Sequence, residues 1–386
     1  MADALTLDWL SRLVGFDTTS RNSNLALIAA VEAFLNARNI PCERVENVAE
    51  GKASLIATIG PREAAGIVLS GHTDVVPVDG QDWTSSPFTL TAREGRLYGR
   101  GSCDMKGFLA VCLGMVPHMQ AAALKKPIHL AFSYDEEVGC LGVRPLLRHM
   151  VAAGYRAEGC IVGEPSMMQV VVGHKAKRSL QTVVRGRGGH SSRAPELVNA
   201  VEYAVLLATR IIAVGQRMAH EGARDALYDI PHTTTHVGTL HGGTALNIVP
   251  ERAVMDWEVR ALPEDDIEAL MQEIISYARE ELEPAMKARA PEAGFHFEEK
   301  AAFPGLSTAP DAPITTLAKR WAGRNDHARV AYGTEAGLFV EMAQIPTIVC
   351  GPGSIAQAHQ ADEYVDESQL TACEDFVRQV IAYCES

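Results

Sequence analysis

No window of this sequence approaches the roughly twenty apolar residues that a membrane-spanning helix needs. The N-terminal stretch MADALTLDWLSRLVGFDTTS likewise lacks a basic segment followed by an apolar one, so a cytoplasmic protein without a membrane partner is expected. Basic clusters are also missing. At a formal net charge of -13, no run of Lys and Arg stands out to neutralise phosphates, which argues against a nucleic-acid partner. No C-x-x-C pair occurs, and the eight cysteines are scattered through a chain too long to need disulfide staples, so reduced thiols are expected. Low-complexity runs are absent, and 47% apolar against 22% charged residues is the balance of an ordinary globular protein.

At 386 residues the chain is longer than one hydrophobic core usually serves, which predicts two domains. SNLALIAAVEAFLNARNI carries apolar residues at helical spacing behind a Ser23/Asn24 cap signal, and ASLIATIG and GIVLSGH follow as strands. The alternation continues through a helix from about Met105 to Met119, the strand IHLAFSY, a helix around LGVRPLLRHMVAAG and the strand GCIVGE. Continuous apolar strands of this kind predict a largely parallel sheet between helices. From Ser179 the order changes to strand (SLQTVVRGRG), long helix (PELVNAVEYAVLLATRIIAVGQRM), two strands (TTTHVGTLHGG, RAVMDWEVRAL), helix (DDIEALMQEIISYAREELEPAM) and strand (FHFEEKAAF). That βαββαβ order is ferredoxin-like. The expected chain is therefore α/β, with a discontinuous domain at 1–178 and 304–386 interrupted by an inserted domain at 179–303. PTIVCGPG is a late core strand of the first domain.

Strands of the first domain end in imidazole or carboxylate: GIVLSGH in His72 and then Asp74, IHLAFSY in Asp135, Glu136 and Glu137, GCIVG in Glu164. In open parallel sheets such ends line one crevice. Asp104, in GRGSCDMKG, and His359, in AHQADEYV, are the other candidates. A lone histidine at a strand end is more often a hydrogen-bonded core residue, and a DEE run is usually a solvated turn. Repetition at several strand ends separates these residues from that reading. Gathered carboxylates raise one another's pKa unless a cation sits among them, and two His with several Asp/Glu form a donor set that zinc, cobalt or manganese accepts. Asp74, two residues past His72, is placed to take the other ring N–H of that imidazole. Of the adjacent Glu136 and Glu137, one can bind metal while the other moves protons. RGRGGHSS lacks the pattern of a phosphate loop, and its His190 lies on a turn able to reach a reacting carbonyl.

Taken in order, SGHTDVVP, GRGSCDMKG, DEEVGCLG, GEPS, RGRGGHSS and HQADE resemble the dinuclear-zinc family of amidohydrolases and exopeptidases. That family includes acetylornithine deacetylase, succinyl-diaminopimelate desuccinylase, aminoacylases and a glutamate carboxypeptidase, and the resemblance covers essentially the whole chain. VVPVDGQDWTSSPF, LYGRGSCDMKGFLA and TEAGLF are most similar to the acetylornithine-deacetylase branch, while Ser102-Cys103 departs from the alanine-rich desuccinylase version. The resemblance implies two zinc ions, replaceable by cobalt. His72 and Glu164 would bind one, Glu137 and His359 the other, and Asp104 would bridge them across a cis peptide to Met105. It further implies Glu136 as general base and acid, Asp74 behind His72, His190 at the oxyanion, and Asn247 and Arg260 on the substrate. The implied reaction is deacetylation of a small N-acyl amino acid, N2-acetyl-L-ornithine, in arginine biosynthesis. Another N-acyl amino acid, a dipeptide, or binding of metal without catalysis remain as alternatives. An edge strand and exposed helices on the inserted domain, a dimerisation and lid domain by resemblance, predict a homodimer.

Overall fold

The computed structural model describes residues 1–386 and divides into two compact units. Met1–Gly173, Leu306–Arg329 and Thr334–Ser386 form the first; His174–Gly305 and Val330–Gly333 form the second. The second unit thus begins at His174 rather than Ser179, and it takes in a short return segment that no sequence pattern marks. Its earlier start has a local cause, since the strand expected from Ser179 begins at Ala176 and already pairs there with Ala261.

At the centre of the first unit lie four parallel strands in the order Ile128–Ser133, Gly66–His72, Ala157–Pro165 and Thr347–Gly351. Antiparallel strands flank them, Lys52–Ile59 and Cys42–Asn47 on one side and Val171–His174 on the other. The unbroken apolar runs are explained by burial along almost the whole length of these central strands. Helices cover both faces. On one face a Cβ at Gly163 would lie 2.0 Å from the Phe108 ring, and one at Gly71 would meet Met105 and Leu109, so glycine is what lets the Lys106–Gly114 helix approach so closely. Ser70, adjacent to Gly71 and so facing the opposite way, donates to Glu335 at the start of the Ala336–Ala343 helix.

The helix expected from Met105 to Met119 is in fact two, Lys106–Gly114 and Val116–Ala121, the second opening on Pro117, which cannot donate the backbone bond a continuous helix requires. Pro284 similarly interrupts the run from Asp265: Ile267–Ser276 is α-helical, Tyr277–Leu282 widens to a π-turn, and Glu283–Lys287 resumes.

In the second unit four antiparallel strands run in the order Thr234–Gly242, Arg252–Ala261, Ala176–Arg185 and Gly294–Phe303. Ala253, Met255, Trp257 and Val259 alternate with less buried neighbours and join a hydrophobic core of this unit's own, to which the Ala200–Glu221 and Ile267–Ser276 helices contribute. Asn199 caps the long helix by accepting the Val201 and Glu202 amides, which sets its start after Pro195 rather than at it. No helix of the chain is long and apolar enough to cross a membrane.

One buried ion pair joins the flank of the first unit's sheet to the turn that follows its neighbour. Lys52, 8% exposed, donates to Asp135, 3% exposed, at 2.7 Å, and also to the Ser20 carbonyl. Replacing Lys52 by Met leaves a buried carboxylate without its cation, with an expected loss of about 3 kcal/mol or more. The check is a fall in the urea midpoint at unchanged slope; a wild-type midpoint would remove this pair from the supports of the fold.

Candidate metal centre

Parallel strands bring their carboxyl ends to one edge of the sheet, and the chain spends those ends on polar residues. His72 is the last residue of its strand. Beyond Ser133, Asp135 turns the chain with a φ of 53°, a left-handed conformation that Asp tolerates better than most residues, and the turn closes as the Gly139 and Cys140 amides donate to the Glu136 carbonyl at 2.9 Å. Glu164 lies within the Ala157–Pro165 strand near its end. Asp104 precedes the Lys106–Gly114 helix across a cis peptide to Met105, and His359 follows the short Ile355–Gln357 turn.

These positions converge. His72 Nε2 lies 3.1 Å from Asp104 Oδ1 and 3.5 Å from Glu164 Oε1. The second Asp104 oxygen lies 3.4 Å from His359 Nε2, which in turn is 3.1 Å from Glu137 Oε1. Asp104 therefore stands between the two imidazoles. Ligand atoms of His72, Glu136 and Glu164, and those of His72, Asp104 and Glu137, form two sets whose members lie within 4.8 Å of one another.

Asp74 faces His72 with two groups. His72 Nδ1 is 2.9 Å from the backbone carbonyl of Asp74, nearer than the 3.4 Å to its carboxylate. The carboxylate accepts from Ser20 Oγ at 2.7 Å and from the amides of Glu136 at 3.1 Å and Glu137 at 3.3 Å. One residue thus orients the imidazole with its main chain and the adjacent glutamates with its side chain.

The charges strain against one another. Burial, reinforced by Glu137, Asp104 and Asp74, pushes Glu136 up to about 8, and burial together with Asp104 raises Glu164 well above the usual carboxylate range. Asp104 moves the other way: burial opposes its ionisation, but contacts with His359 and His72 hold it low. Bonds to Asp104 and Glu137 lift His359 to about 10. Glu164 Oε1 is buried without a hydrogen-bond partner. A mixed nitrogen and oxygen donor set of this charge, with an unbonded buried carboxylate oxygen, fits a divalent cation.

The remaining candidates lie on the second unit. Gly189 and His190 pair with Val249 and Ile248, and Ser191 N–H donates to the Asn247 carbonyl at 3.0 Å, so His190 and Asn247 are exposed neighbours. Arg260 is with neither; it stands at the far end of its strand from Arg252, its Nε donating to Glu258 at 2.7 Å. Sequence reasoning missed Ser20, Lys52 and Cys140, whose Sγ donates to Glu136 Oε1 at 3.4 Å. Only Lys52 gave a signal, a lysine leading directly into the apolar run ASLIATIG.

A profile of the Peptidase family M20/M25/M40 matches residues 68–383. The acetylornithine deacetylase of Photorhabdus laumondii is 32% identical over 367 residues, 95% of this chain and 92% of the relative. That of Proteus mirabilis is also 32% identical, over 95% of this chain and 91% of the relative. Among solved structures, an M20 family metallo-carboxypeptidase from Sulfolobus solfataricus superposes with a TM-score of 0.79 at 16% identity, covering 99% of both chains. A dinuclear metal-binding M20 peptidase from Bacillus subtilis gives 0.64 at 17% identity, covering 98% of this chain and 97% of the other.

Zinc at about a hundred times its dissociation constant is expected to stabilise the protein by about 2.7 kcal/mol, seen as a raised thermal midpoint that a chelator reverses and that Asp104→Ala abolishes. No shift with zinc, cobalt or manganese would reject the site.

Proposed function

The chain belongs to the M20/M25/M40 peptidase family, and from that membership we propose that it hydrolyses N2-acetyl-L-ornithine to L-ornithine and acetate, a step towards arginine. The observation that carries the substrate is the 32% identity to acetylornithine deacetylases over nearly the whole chain. His72 and Glu164 are assigned to one divalent ion, Glu137 and His359 to a second, and Asp104 to both, with zinc as the metal and cobalt as a substitute. Bound there, the ions would polarise the acetyl carbonyl and acidify the attacking water.

Glu136 takes the proton of that water and returns it to the departing α-amine. The Asp74 carboxylate fixes its backbone and the Cys140 thiol its Oε1, so the base is aimed before substrate arrives. His190 donates to the tetrahedral oxyanion. Asn247 and Arg260 hold the substrate, Arg260 through a paired grip on the α-carboxylate. The eight cysteines, scattered through a chain too long to need disulfide staples, suit a reducing compartment, and the reaction is assigned to the cytoplasm.

The test is kcat/KM on N2-acetyl-L-ornithine, N-acetyl-L-citrulline and N-succinyl-L,L-diaminopimelate with zinc or cobalt supplied. A clear preference for the first, lost on chelation, is expected. Glu136→Gln should cost at least about a hundredfold in kcat, and His190→Ala should lower kcat more than it raises KM. Preference for another acyl amino acid would overturn the substrate and leave the chemistry.

The second unit carries a surface suited to a second copy of the chain. Thr234–Gly242 is an edge strand, and beside it Val201 and Gly215 of the long helix approach Gly242 and Thr235. Val205 and Ile212 share that helical stripe and are about half exposed, 47% and 52%. An open strand edge flanked by apolar side chains favours self-pairing about a two-fold axis. Light scattering at micromolar concentration should give a dimeric mass, and a monomeric one would refute the pairing.

A further inference from the structure

The segment that supplies His359 ends on a carboxylate that the proposed chemistry leaves without a role. Glu363, 1% exposed, accepts at Oε1 from the amides of Cys103 and Asp104, both at 3.0 Å. Its Oε2 accepts from the Gly101 amide at 3.0 Å and from Arg100 Nη1 at 2.7 Å. Both oxygens of one buried anion are therefore turned towards the backbone of the loop that carries Asp104. No regular element frames that loop: Gly101 has a φ of 78°, and the helix begins only at Lys106.

Arg100 carries the arrangement back to the other imidazole. Fully buried, it donates to the carbonyls of Gln360 at 3.3 Å and Pro77 at 3.4 Å and to Gln81 Oε1, while Gln81 Nε2 donates to the His359 carbonyl at 3.0 Å. The stretch from His359 to Glu363 is thus tied at both ends to the stretch from Arg100 to Asp104. Charge balance for Arg100 needs one carboxylate oxygen; the three amides are what the rest of Glu363 serves, and amide bonds to an ionised acceptor are the strong kind. Burying a carboxylate is costly, and here guanidinium and amides together offset the cost.

We infer that Glu363 is a positioning residue for the metal centre. It touches neither substrate nor the reacting atoms. It fixes the turn of Asp104 between His72 and His359 and, through Arg100 and Gln81, keeps His359 in register with that turn. The inference rests on the metal-centre reading above.

Glu363→Gln keeps shape but presents an amide donor where donors already converge. Calorimetric titration of the metal-free protein with zinc, alongside its circular dichroism, is expected to show a native fold and a roughly ten- to hundredfold weaker affinity for at least one ion. The cobalt-loaded spectrum should change, kcat should fall with KM little altered, and Glu363→Asp should recover part of the affinity. Two ions bound by the variant at wild-type affinity would overturn the inference alone; failure of the wild type to take up metal would overturn it together with the metal-centre reading. Should the Gln variant not fold, hydrogen exchange on the wild type decides the matter: the Gly101, Cys103 and Asp104 amides are expected to be as protected as those of the following helix, and exchange at solvent-like rates would overturn it.

Discussion

Asp74, Asp104, Glu136, Glu137 and Glu164 share one crevice against two imidazoles, and that crowding of like charge is the constraint on which the rest of the first unit depends. Left alone, such a cluster protonates or opens. The fold resists by giving its buried carboxylates donors from the protein itself. Asp74 has two amides and the Ser20 hydroxyl; Asp135, one residue before the pair of glutamates, has Lys52; Glu335, beneath the strands, has the hydroxyls of Ser70 and Ser133 at 2.6 and 2.7 Å. A parallel sheet suits this task because its strand ends arrive together, and each can surrender one or two residues to the crevice without losing the apolar run behind it.

Much of this was legible because burial of parallel strands leaves a plain trace. GIVLSGH is buried from end to end, and its last residue is the histidine that lies beside Asp104 and Glu164. The inserted unit was legible from its change of rhythm, since the alternation in RAVMDWEVRAL marks a sheet with one open face. Helix ends were read less well where proline decided them, as at Pro117 and Pro284. The Ser23/Asn24 cap signal is met by its first residue alone: Ser23 Oγ accepts from the Leu25 amide at 3.2 Å, while the Asn24 side chain bonds Ala53 and Thr73, stitching the helix start to one strand and to the residue that follows another.

What the sequence hid is the polar interior. Lys52, Arg100 and Glu363 are residue types found on surfaces by default, and only Lys52, which leads into an apolar run, has neighbours that say otherwise. Their burial follows from long-range partners, Lys52 with Asp135 and Arg100 with Glu363, which only the folded topology brings together. Asp74 holds a contact that its place beside His72 does not announce: its carboxylate lies 3.4 Å from Nδ1, and its carbonyl lies nearer still, at 2.9 Å.

The discontinuity of the first unit has a consequence for how the molecule comes into being. Its sheet takes a central strand from Thr347–Gly351, its C-terminal helix Glu367–Cys384 packs on Lys106–Gly114, and the Asp3 amide donates to Glu374 at 2.8 Å. The second unit needs almost nothing from outside 174–305. On a ribosome, which releases the chain from its beginning, the inserted unit can close on itself while the unit that surrounds it is still missing a strand, a helix and His359. The cluster around Asp104 is therefore incomplete until His359 has been made, and an ion held by both imidazoles could be taken up only after that point.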